Sequence, residues 1–216
     1  GTGAALAVIP AGTGNDFANA LGVPKGDVAA ACRILSRGTR RPMDLCRVNN
    51  RYFASSFGAG FDARVTKAAN ERFKHLGGIW TYIFAVMSVI WSFRPGPMRI
   101  VADGRKISKS PLLVAVTNWK SYGGGMYICP DAEIDDGLFE VCIVDNVPIL
   151  RFLYSFPRVI RGTHVTMPEV EIFRARSVHI SCSRMETYHV DGEVFEADDM
   201  QLVLVPAGID VVVGEV

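Results

Sequence analysis

The chain has 216 residues, 49% of them hydrophobic, and its 23 lysines and arginines almost balance its 22 aspartates and glutamates. This length and composition suit a substantial core in one large domain or a small pair of domains. The net charge of +1 argues against a strongly basic nucleic-acid-binding protein and against general attraction to an anionic membrane, so any basic surface must be local.

The first part of the chain reads as a strand, a glycine-broken loop and a helix. Residues 4–9 form a continuous apolar run, which predicts a central strand buried on both faces. The glycines of the next loop let a charged ligand approach the backbone, and the free N–H groups at a helix start favour phosphate. The candidate nucleotide-binding residues are Gly12, Thr13, Gly14, Asn15 and Asp16, and Asn15 or Asp16 is expected to cap the helix. The glycines alone leave a plain strand-to-helix turn equally open.

The pattern changes from helical to β-rich near residues 37–41. Before that point, Asp27 is predicted to cap a helix that ends near Gly38. After it, a hairpin is expected over residues 43–57, with its turn at Asn49-Asn50, and Asp103-Gly104 predicts a second tight turn. Many short strands favour a sandwich or distorted barrel. The later strands are predicted at residues 98–101, 105–108, 112–116, 138–144, 170–173, 177–181, 187–190 and 201–205.

Three helices are predicted within the β-rich region, at residues 63–74, 79–93 and 148–160. The middle one is almost entirely apolar, but at about 15 residues it is shorter than the roughly 20 that cross a bilayer. It is either buried against the sheet or lines an acyl-chain cleft with part of its surface, including Trp80 and Trp91. In the second case the basic residues before it would lie near lipid phosphates. They are Arg64, Lys67, Arg72 and Lys74.

Four motifs carry a resemblance to one enzyme family. Ile-Pro-Ala-Gly-Thr-Gly-Asn-Asp-Phe-Ala at residues 9–18 resembles the second nucleotide-loop motif of the diacylglycerol kinase and sphingosine kinase-like lipid kinases. Three further stretches match the pattern of that family in its order and rough spacing. They are Gly-Ala-Gly-Phe-Asp at 58–62, the glycine- and acid-rich stretch at 123–138 and Val-Asp-Gly-Glu at 190–193.

The resemblance implies an α/β plus β fold, in which the remnant of a Rossmann-like nucleotide lobe joins a larger β-sandwich domain with inserted helices. Residues 1–39 would be the C-terminal part of the nucleotide-binding domain, residues 40–205 the β-rich lipid and catalytic domain, and residues 206–216 a return to the first domain. The first nucleotide motif of the family, Gly-Gly-Asp-Gly-Thr, does not occur in the sequence. We therefore expect this chain alone to be inactive.

The same resemblance implies ATP and Mg²⁺ as cofactors and a membrane lipid as substrate, with diacylglycerol as the first candidate. The kinase would be cytoplasmic and make peripheral contact with the inner face of the membrane, without a nucleic-acid partner. The odd number of cysteines, the lack of CxxC spacing and the lack of a signal peptide suit the reducing cytoplasm. A sphingoid base, phosphatidylglycerol or a polyprenol as substrate, a non-catalytic lipid-binding or regulatory fragment, and a homodimer are left open.

Two acids are predicted to be catalytic. By resemblance Glu193 would be the general base, and Gly192 would let Asp191 share one space with it, where mutual repulsion raises proton affinity. An ordinary hairpin with exposed acids is the alternative. The four histidines show no metal-ligand spacing and are interpreted as structural. They are His75, His164, His179 and His189.

A metal site is predicted in the acid-rich turn. By resemblance Asp136 would supply a carboxylate ligand beside the backbone carbonyls of Glu133 and Leu138, in a structural site, while Asp44 would join the catalytic metal network. A solvated acidic turn, and a structural acceptor role for Asp44, are the alternatives.

Overall fold

The computed structural model describes residues 3–11 and 15–214. Its first lobe contains β1 (Ala5–Leu6), α1 (Asp16–Ala20) and α2 (Val28–Arg37). The predicted caps of α2 are confirmed: Asp27 accepts a hydrogen bond of 2.8 Å from the N–H of Ala30, and Gly38 ends the helix with φ of 65°. The predicted cap of α1 is wrong. Asn15 occupies the N-cap position in a left-handed conformation, without a side-chain capping bond, and the side chain of Asp16 binds elsewhere.

The strand β1 is shorter and more exposed than the sequence predicts. It pairs in parallel with Asp210 and Val211 near the end of β11 (Glu193–Val212). A central strand needs a neighbour on each edge, and among the described residues β1 has only this one. Leu6 in β1 and Ile9 after it are also exposed, so the prediction of a central strand buried on both faces is wrong.

The rest of the chain is dominated by antiparallel strands. They are β2 (Arg40–Val48), β3 (Arg51–Phe53), β4 (Ser56–Gly60), β5 (Met98–Ala102), β6 (Arg105–Lys109), β7 (Leu113–Thr117), β8 (Phe139–Val144), β9 (Val170–Ala175), β10 (Ser177–Val190) and β11. With β1 they form one 11-stranded sheet, whose main path is β3-β2-β11-β10-β4-β7-β8-β9. The strand β5 pairs with β10 and β6.

The sheet curves back on itself around one apolar core. Phe53 on β3 stacks on Phe139 on β8 with ring centroids 6.4 Å apart, although these strands lie near opposite ends of the path. A flat sheet could not bring them together. The predicted class, an α/β lobe joined to a larger sandwich-like β domain with inserted helices, is confirmed.

Long-range contacts change the limits of several predicted strands. The expected second strand of the hairpin is broken at Ala54 and Ser55, because the carboxylate of Asp191 accepts hydrogen bonds from three successive N–H groups there, at 2.7 to 2.9 Å. The strands predicted at 177–181 and 187–190 are one strand, β10, with a bulge between Ser181 and Glu186. The predicted turn at Asp103-Gly104 is confirmed, with positive φ at both residues.

The three predicted helices are present as α3 (Phe61–Ala68), α4 (Gly78–Val89) and α5 (Ile149–Ile160). A π-helical turn (Ala69–Phe73) and 3₁₀ turns (Lys74–Leu76 and Thr163–Thr166) complete the set. Only one face of α4 is buried, through Ala85 and Val86, so the expectation of a buried helix holds for that face alone. Across residues 3–11 and 15–214, no helix combines the length and apolar composition needed to cross a membrane.

Asp44 joins the end of β11 to the acid-rich turn. Its side chain is 2% exposed, and it accepts hydrogen bonds from the N–H of Gly137 at 2.6 Å and of Ala207 at 2.8 Å. Ala207 has φ of 48° and lies where the register of β11 against β2 shifts. Asp44 therefore acts as a structural acceptor between two distant segments.

Replacing Asp44 by alanine is expected to destabilise the fold by roughly 2–6 kcal/mol, because two donors lose their acceptor at about 1–3 kcal/mol each. Urea unfolding followed by circular dichroism measures this loss. Asp135→Ala is the matched control, since it removes only a partly exposed pair with Arg41 and should cost less than about 1 kcal/mol. The loss for Asp44→Ala should be equal in Mg²⁺ and in EDTA; a loss seen only with Mg²⁺ would make Asp44 a metal ligand instead.

Candidate functional site

A polar cleft of about 430 Å³ lies between the first lobe and the β-rich part. Its walls come from α1, the segment between β3 and β4, the π-helical turn, α4 and the turn between β10 and β11. Its polar lining residues include Asn15, Asp16, Ser55, Ser56, Asn70, Lys74, Thr81, Tyr82, Tyr122, His189 and Asp191. Gly12, Thr13 and Gly14 lie outside the described residues, so their predicted contacts with a nucleotide stay a prediction.

Asp16 bridges the two sides of this cleft. Its Oδ2 accepts a hydrogen bond of 2.8 Å from the N–H of Gly124, in the glycine-rich stretch of the β part. Burial raises the pKa of Asp16, although the hydrogen bond from Gly124 and the charge of Lys25 oppose the shift. Asp16 is half-buried, and an acid with a raised pKa in a cleft is typical of functional sites.

Two side chains that line the cleft, Tyr122 and His189, both contact Asp62, which is not itself a lining residue of the cleft. The hydroxyl of Tyr122 donates to Oδ2 of Asp62 at 2.5 Å, and Nε2 of His189 lies 3.0 Å from the same oxygen. Burial, followed by the charge of Asp62, raises the pKa of Tyr122, which therefore remains a protonated donor. Both hydrogen bonds of Asp62 within the described chain end on Oδ2, which leaves Oδ1 able to accept from a bound molecule.

Gly58 explains why this cluster can form. It is the direct cross-strand partner of His189, and a Cβ atom at Gly58 would overlap both the Asp62 carboxylate and the His189 ring. Gly60, two residues later, has φ of 83° and occupies the N-cap position of α3. The motif Gly-Ala-Gly-Phe-Asp is therefore a steric requirement for bringing Asp62 under β10.

An apolar cavity of about 90 Å³ lies on the other side of Asp62. Phe61 and Val65 of α3, Val86 of α4 and Phe152 of α5 contribute to its lining, together with side chains of β7 and β8. Trp80 and Trp91 are 60% and 58% exposed and do not line it, so this cavity is not the acyl-chain cleft that the second interpretation of α4 requires. Their helical spacing puts them on a different face from Val86.

The two acids predicted to be catalytic have different environments. Asp191 lines the cleft, but its carboxylate is held by the N–H groups of Ala54, Ser55 and Ser56. Glu193 is exposed at the start of β11, directly after Gly192, which lines the cleft and accepts a hydrogen bond from Asn70 at 2.8 Å. The general-base role of Glu193 stays a prediction.

Two of the predicted metal ligands, Asp136 and Asp44, are held by donors of the protein. Oδ1 of Asp136 accepts from the N–H of Leu138 at 3.0 Å, and its Oδ2 faces Arg174 at 3.6 Å. Glu133 is exposed, and Asp44 is bonded to backbone amides. Within the part of the chain that the structure describes, no group of three or more His, Cys, Asp or Glu side chains is arranged to hold a metal ion. The metal roles of these residues remain predictions.

The sequence interpretation missed the site residues that chain folding brings together. His189 was assigned a structural role, Tyr122 no role, and Asn70 none. The one available signal for His189 was its position just before Val190-Asp191-Gly192-Glu193, in a motif already singled out.

We expect Gly58→Ala to separate Asp62 from His189, because the added carbon atom cannot fit between them. Overpacking of this kind costs about 1–3 kcal/mol, measurable by urea unfolding. The matched control is Gly96→Ala, another buried glycine, where the new atom would lie 3.5 Å from its nearest neighbours. Equal stability of the two variants would contradict the packing described here.

The sequence was compared with known families, proteins and structures. The profile of the YegS C-terminal NAD kinase beta sandwich-like domain matches residues 55–213, and that of the diacylglycerol kinase catalytic domain matches residues 1–48. A diacylglycerol kinase from Mycobacterium tuberculosis (strain CDC 1551 / Oshkosh) is 34% identical over 218 residues, which cover 98% of this chain and 70% of that protein. One from Bacillus subtilis (strain 168) is 31% identical over 188 residues, which cover 87% of this chain and 62% of that protein.

The fold is similar to that of a solved relative. A crystal structure of a protein assigned as a diacylglycerol kinase from Bacillus anthracis str. Sterne superposes with a TM-score of 0.80 at 26% identity. The match covers 97% of this chain and 70% of that one. Family profiles, relatives and fold agree, and the chain belongs to the diacylglycerol kinase family of lipid kinases.

Proposed function

We propose that this chain carries the lipid site and one nucleotide loop of an ATP- and Mg²⁺-dependent kinase that phosphorylates diacylglycerol to phosphatidic acid. The observation that carries the proposal is the position of Asp62, which lines the apolar cavity while its carboxylate is bonded to Tyr122 and His189 of the polar cleft. Diacylglycerol has one free hydroxyl beside two acyl chains. Asp62 lies where such a hydroxyl would reach the cleft while its chains stay in apolar surroundings.

The cleft is chemically suited to a nucleotide phosphate. Lys74 offers a cation, Asp16 offers one carboxylate, and the glycine loop at residues 12–14 would add backbone N–H groups. Mg²⁺ commonly uses only one or two protein carboxylates and takes its other oxygens from phosphates and water, so a large acidic cluster is not required. Bound ATP and Mg²⁺ would supply the phosphoryl group and neutralise its charge.

The protein residues would then position and deprotonate the acceptor. Asp62 would accept a hydrogen bond from the lipid hydroxyl through Oδ1, while Tyr122 and His189 hold its other oxygen. Glu193 would remove the hydroxyl proton as general base. Asp191 would act indirectly, by fixing the turn from which Glu193 projects.

One exposed helix face suggests how the protein reaches its substrate. We call it the α4 ridge: Trp80, Phe84, Met87 and Trp91, which are 40 to 60% exposed. Their spacing places them on one side of the helix. An apolar helix face with tryptophans suits the interface of a bilayer, where the helix would lie flat. Because Val86 of the same helix lines the apolar cavity, docking of the ridge would bring that cavity to the membrane.

The cavity must enlarge before an acyl chain enters. Its volume of about 90 Å³ is below the roughly 150 Å³ that accommodates benzene in an engineered protein cavity. Phe152 and Phe156 of α5 line it, and Ser155 is the one buried residue of that helix. Displacement of α5 is therefore the proposed route of lipid entry.

The full-length protein is expected to transfer labelled phosphate from ATP to diacylglycerol in detergent micelles. The same assay is run with a sphingoid base, phosphatidylglycerol and a polyprenol as alternative acceptors. Labelling of one of these lipids alone would change the assigned substrate. No transfer to any lipid would favour the non-catalytic, lipid-binding alternative. Asp62→Asn, which keeps the shape of the side chain, should raise KM for the lipid and leave KM for ATP unchanged.

Glu193→Gln in the full-length protein is expected to lower kcat by about 10²–10⁴, the usual contribution of a general base, while ATP binding is retained. Steady-state kinetics and equilibrium nucleotide binding give the two quantities. Glu196→Gln is the matched control, because Glu196 is also exposed on β11 and lies outside the cleft lining. Turnover near that of the control would refute the assignment.

A further inference from the structure

A second polar pocket, separate from the cleft, lies beside the C-terminal end of the α4 ridge. We call it the arginine pocket; it has a volume of about 290 Å³. Three arginines from three different elements meet there: Arg64 from α3, Arg94 from the segment after α4, and Arg184 from the bulge in β10. It shares no lining residue with the cleft between the lobes.

The charges of this pocket are only partly balanced by the protein. Within residues 3–11 and 15–214, none of its arginines has a carboxylate within 4.0 Å, whereas Arg41, Arg105, Arg151 and Arg174 all do. Glu186 is the one acid in the lining; it is buried, and its Oε1 accepts from the N–H of Thr187 at 3.2 Å. Three arginines against one glutamate leave the pocket with a net charge of +2.

One of the three guanidinium groups is fixed in place. Nη1 of Arg94 donates to the carbonyl oxygens of Phe93 at 2.8 Å and Trp91 at 3.4 Å. Guanidinium groups bind phosphate oxygens through paired N–H donors, and several of them around one space favour a phosphate over a single carboxylate. The pocket therefore has the chemistry of a phosphate site.

The neighbouring residues indicate where that phosphate comes from. Trp91, the last residue of the α4 ridge, is three positions before Arg94, and Ser92 and Phe93 between them line the pocket. Tryptophan side chains are enriched at the membrane–water interface, at the level of the lipid headgroups. If the ridge lies in the interface, the arginine pocket is at the depth of the phosphates of neighbouring lipids.

We propose that the arginine pocket binds the phosphate of an anionic phospholipid in the bilayer and so holds the α4 ridge on the membrane. This inference rests on the membrane contact in the proposed function. It assigns a lipid site that is not the catalytic one, and it makes docking dependent on anionic lipid even though the whole chain is almost neutral.

The test is co-sedimentation of the full-length protein with vesicles of phosphatidylcholine, with and without phosphatidylglycerol. The double variant Arg64→Gln/Arg184→Gln removes two charges that make no hydrogen bond or ion pair within the described chain, so the fold should persist. A cation near an anionic membrane surface contributes about a five-fold gain in binding, so the double variant should bind anionic vesicles about 25-fold more weakly. Its binding to pure phosphatidylcholine vesicles should not change.

The matched control is Arg47→Gln/Arg176→Gln, which removes the same charge from exposed positions on β2 and between β9 and β10. An equal loss for both double variants would mean general electrostatic attraction, and no loss for the pocket variant would overturn the site. Trp80→Ala/Trp91→Ala should weaken binding to both kinds of vesicle. Kinase activity in uncharged detergent micelles is measured in parallel. If the proposed function is wrong, the unmodified protein will show no kinase activity in micelles. If only the arginine pocket is wrong, that activity will be present and the pocket variant will bind anionic vesicles as the unmodified protein does.

Discussion

The hydrogen bonds of the Asp191 carboxylate set the geometry of the site. It accepts from three successive N–H groups, which breaks the strand after β3 and ties the start of β4 to the turn between β10 and β11. The N–H of Asp191 in turn donates to the carbonyl of Ser56 at 2.8 Å. These bonds fix the register in which Gly58 lies opposite His189. A slip of one residue would turn each side chain to the other face of the sheet and dismantle the cluster around Asp62.

The acids of this chain divide according to the donors that surround them. Asp44, Asp103 and Asp191 accept backbone N–H groups and connect segments that are distant in sequence. Asp16 also accepts one backbone N–H from a distant segment, but it lines the cleft and burial raises its pKa. Within the described residues Asp62 accepts from the side chains of Tyr122 and His189, and both bonds end on Oδ2. A sequence shows which positions are acidic, but it does not show how many amides meet each carboxylate. The motif therefore predicts a shared catalytic role for Asp191 and Glu193, although the fold gives the two carboxylates different surroundings.

Local signals predicted much of the fold. The cap at Asp27, the glycine at position 38, the turn at Asp103-Gly104 and the three helices all depend on residues close in sequence, and each is present. Features that depend on distant partners were not accessible in the same way. The break at Ala54 is caused by a residue more than a hundred positions later, and the short β1 reflects how many strands flank it.

The same distinction explains the errors in the candidate site. Periodicity showed that α4 is apolar all round, but only its packing against α3 and the cavity decides which face is left outside. The motifs named Asp16 for the nucleotide and contained Asp62 without giving it a role. His189 and Tyr122 join Asp62 only because β10 and the segment before the glycine-rich stretch come together in space. Motif resemblance thus located the site, and long-range pairing determined its chemistry.

The long strand β11 is interrupted in its pairing with β2. This one strand of 20 residues starts beside the turn that carries Glu193 and ends paired with β1, so it spans up to about 66 Å at roughly 3.3 Å per residue. A paired strand resists bending, and the interruption of its pairing with β2 falls between Val205 and Ile209, where Ala207 is bound by Asp44. Asp44 therefore binds β11 at the place where the pairing of this strand with β2 is interrupted. The N–H of Ala207, which loses its place in the ladder there, is satisfied by this one buried carboxylate.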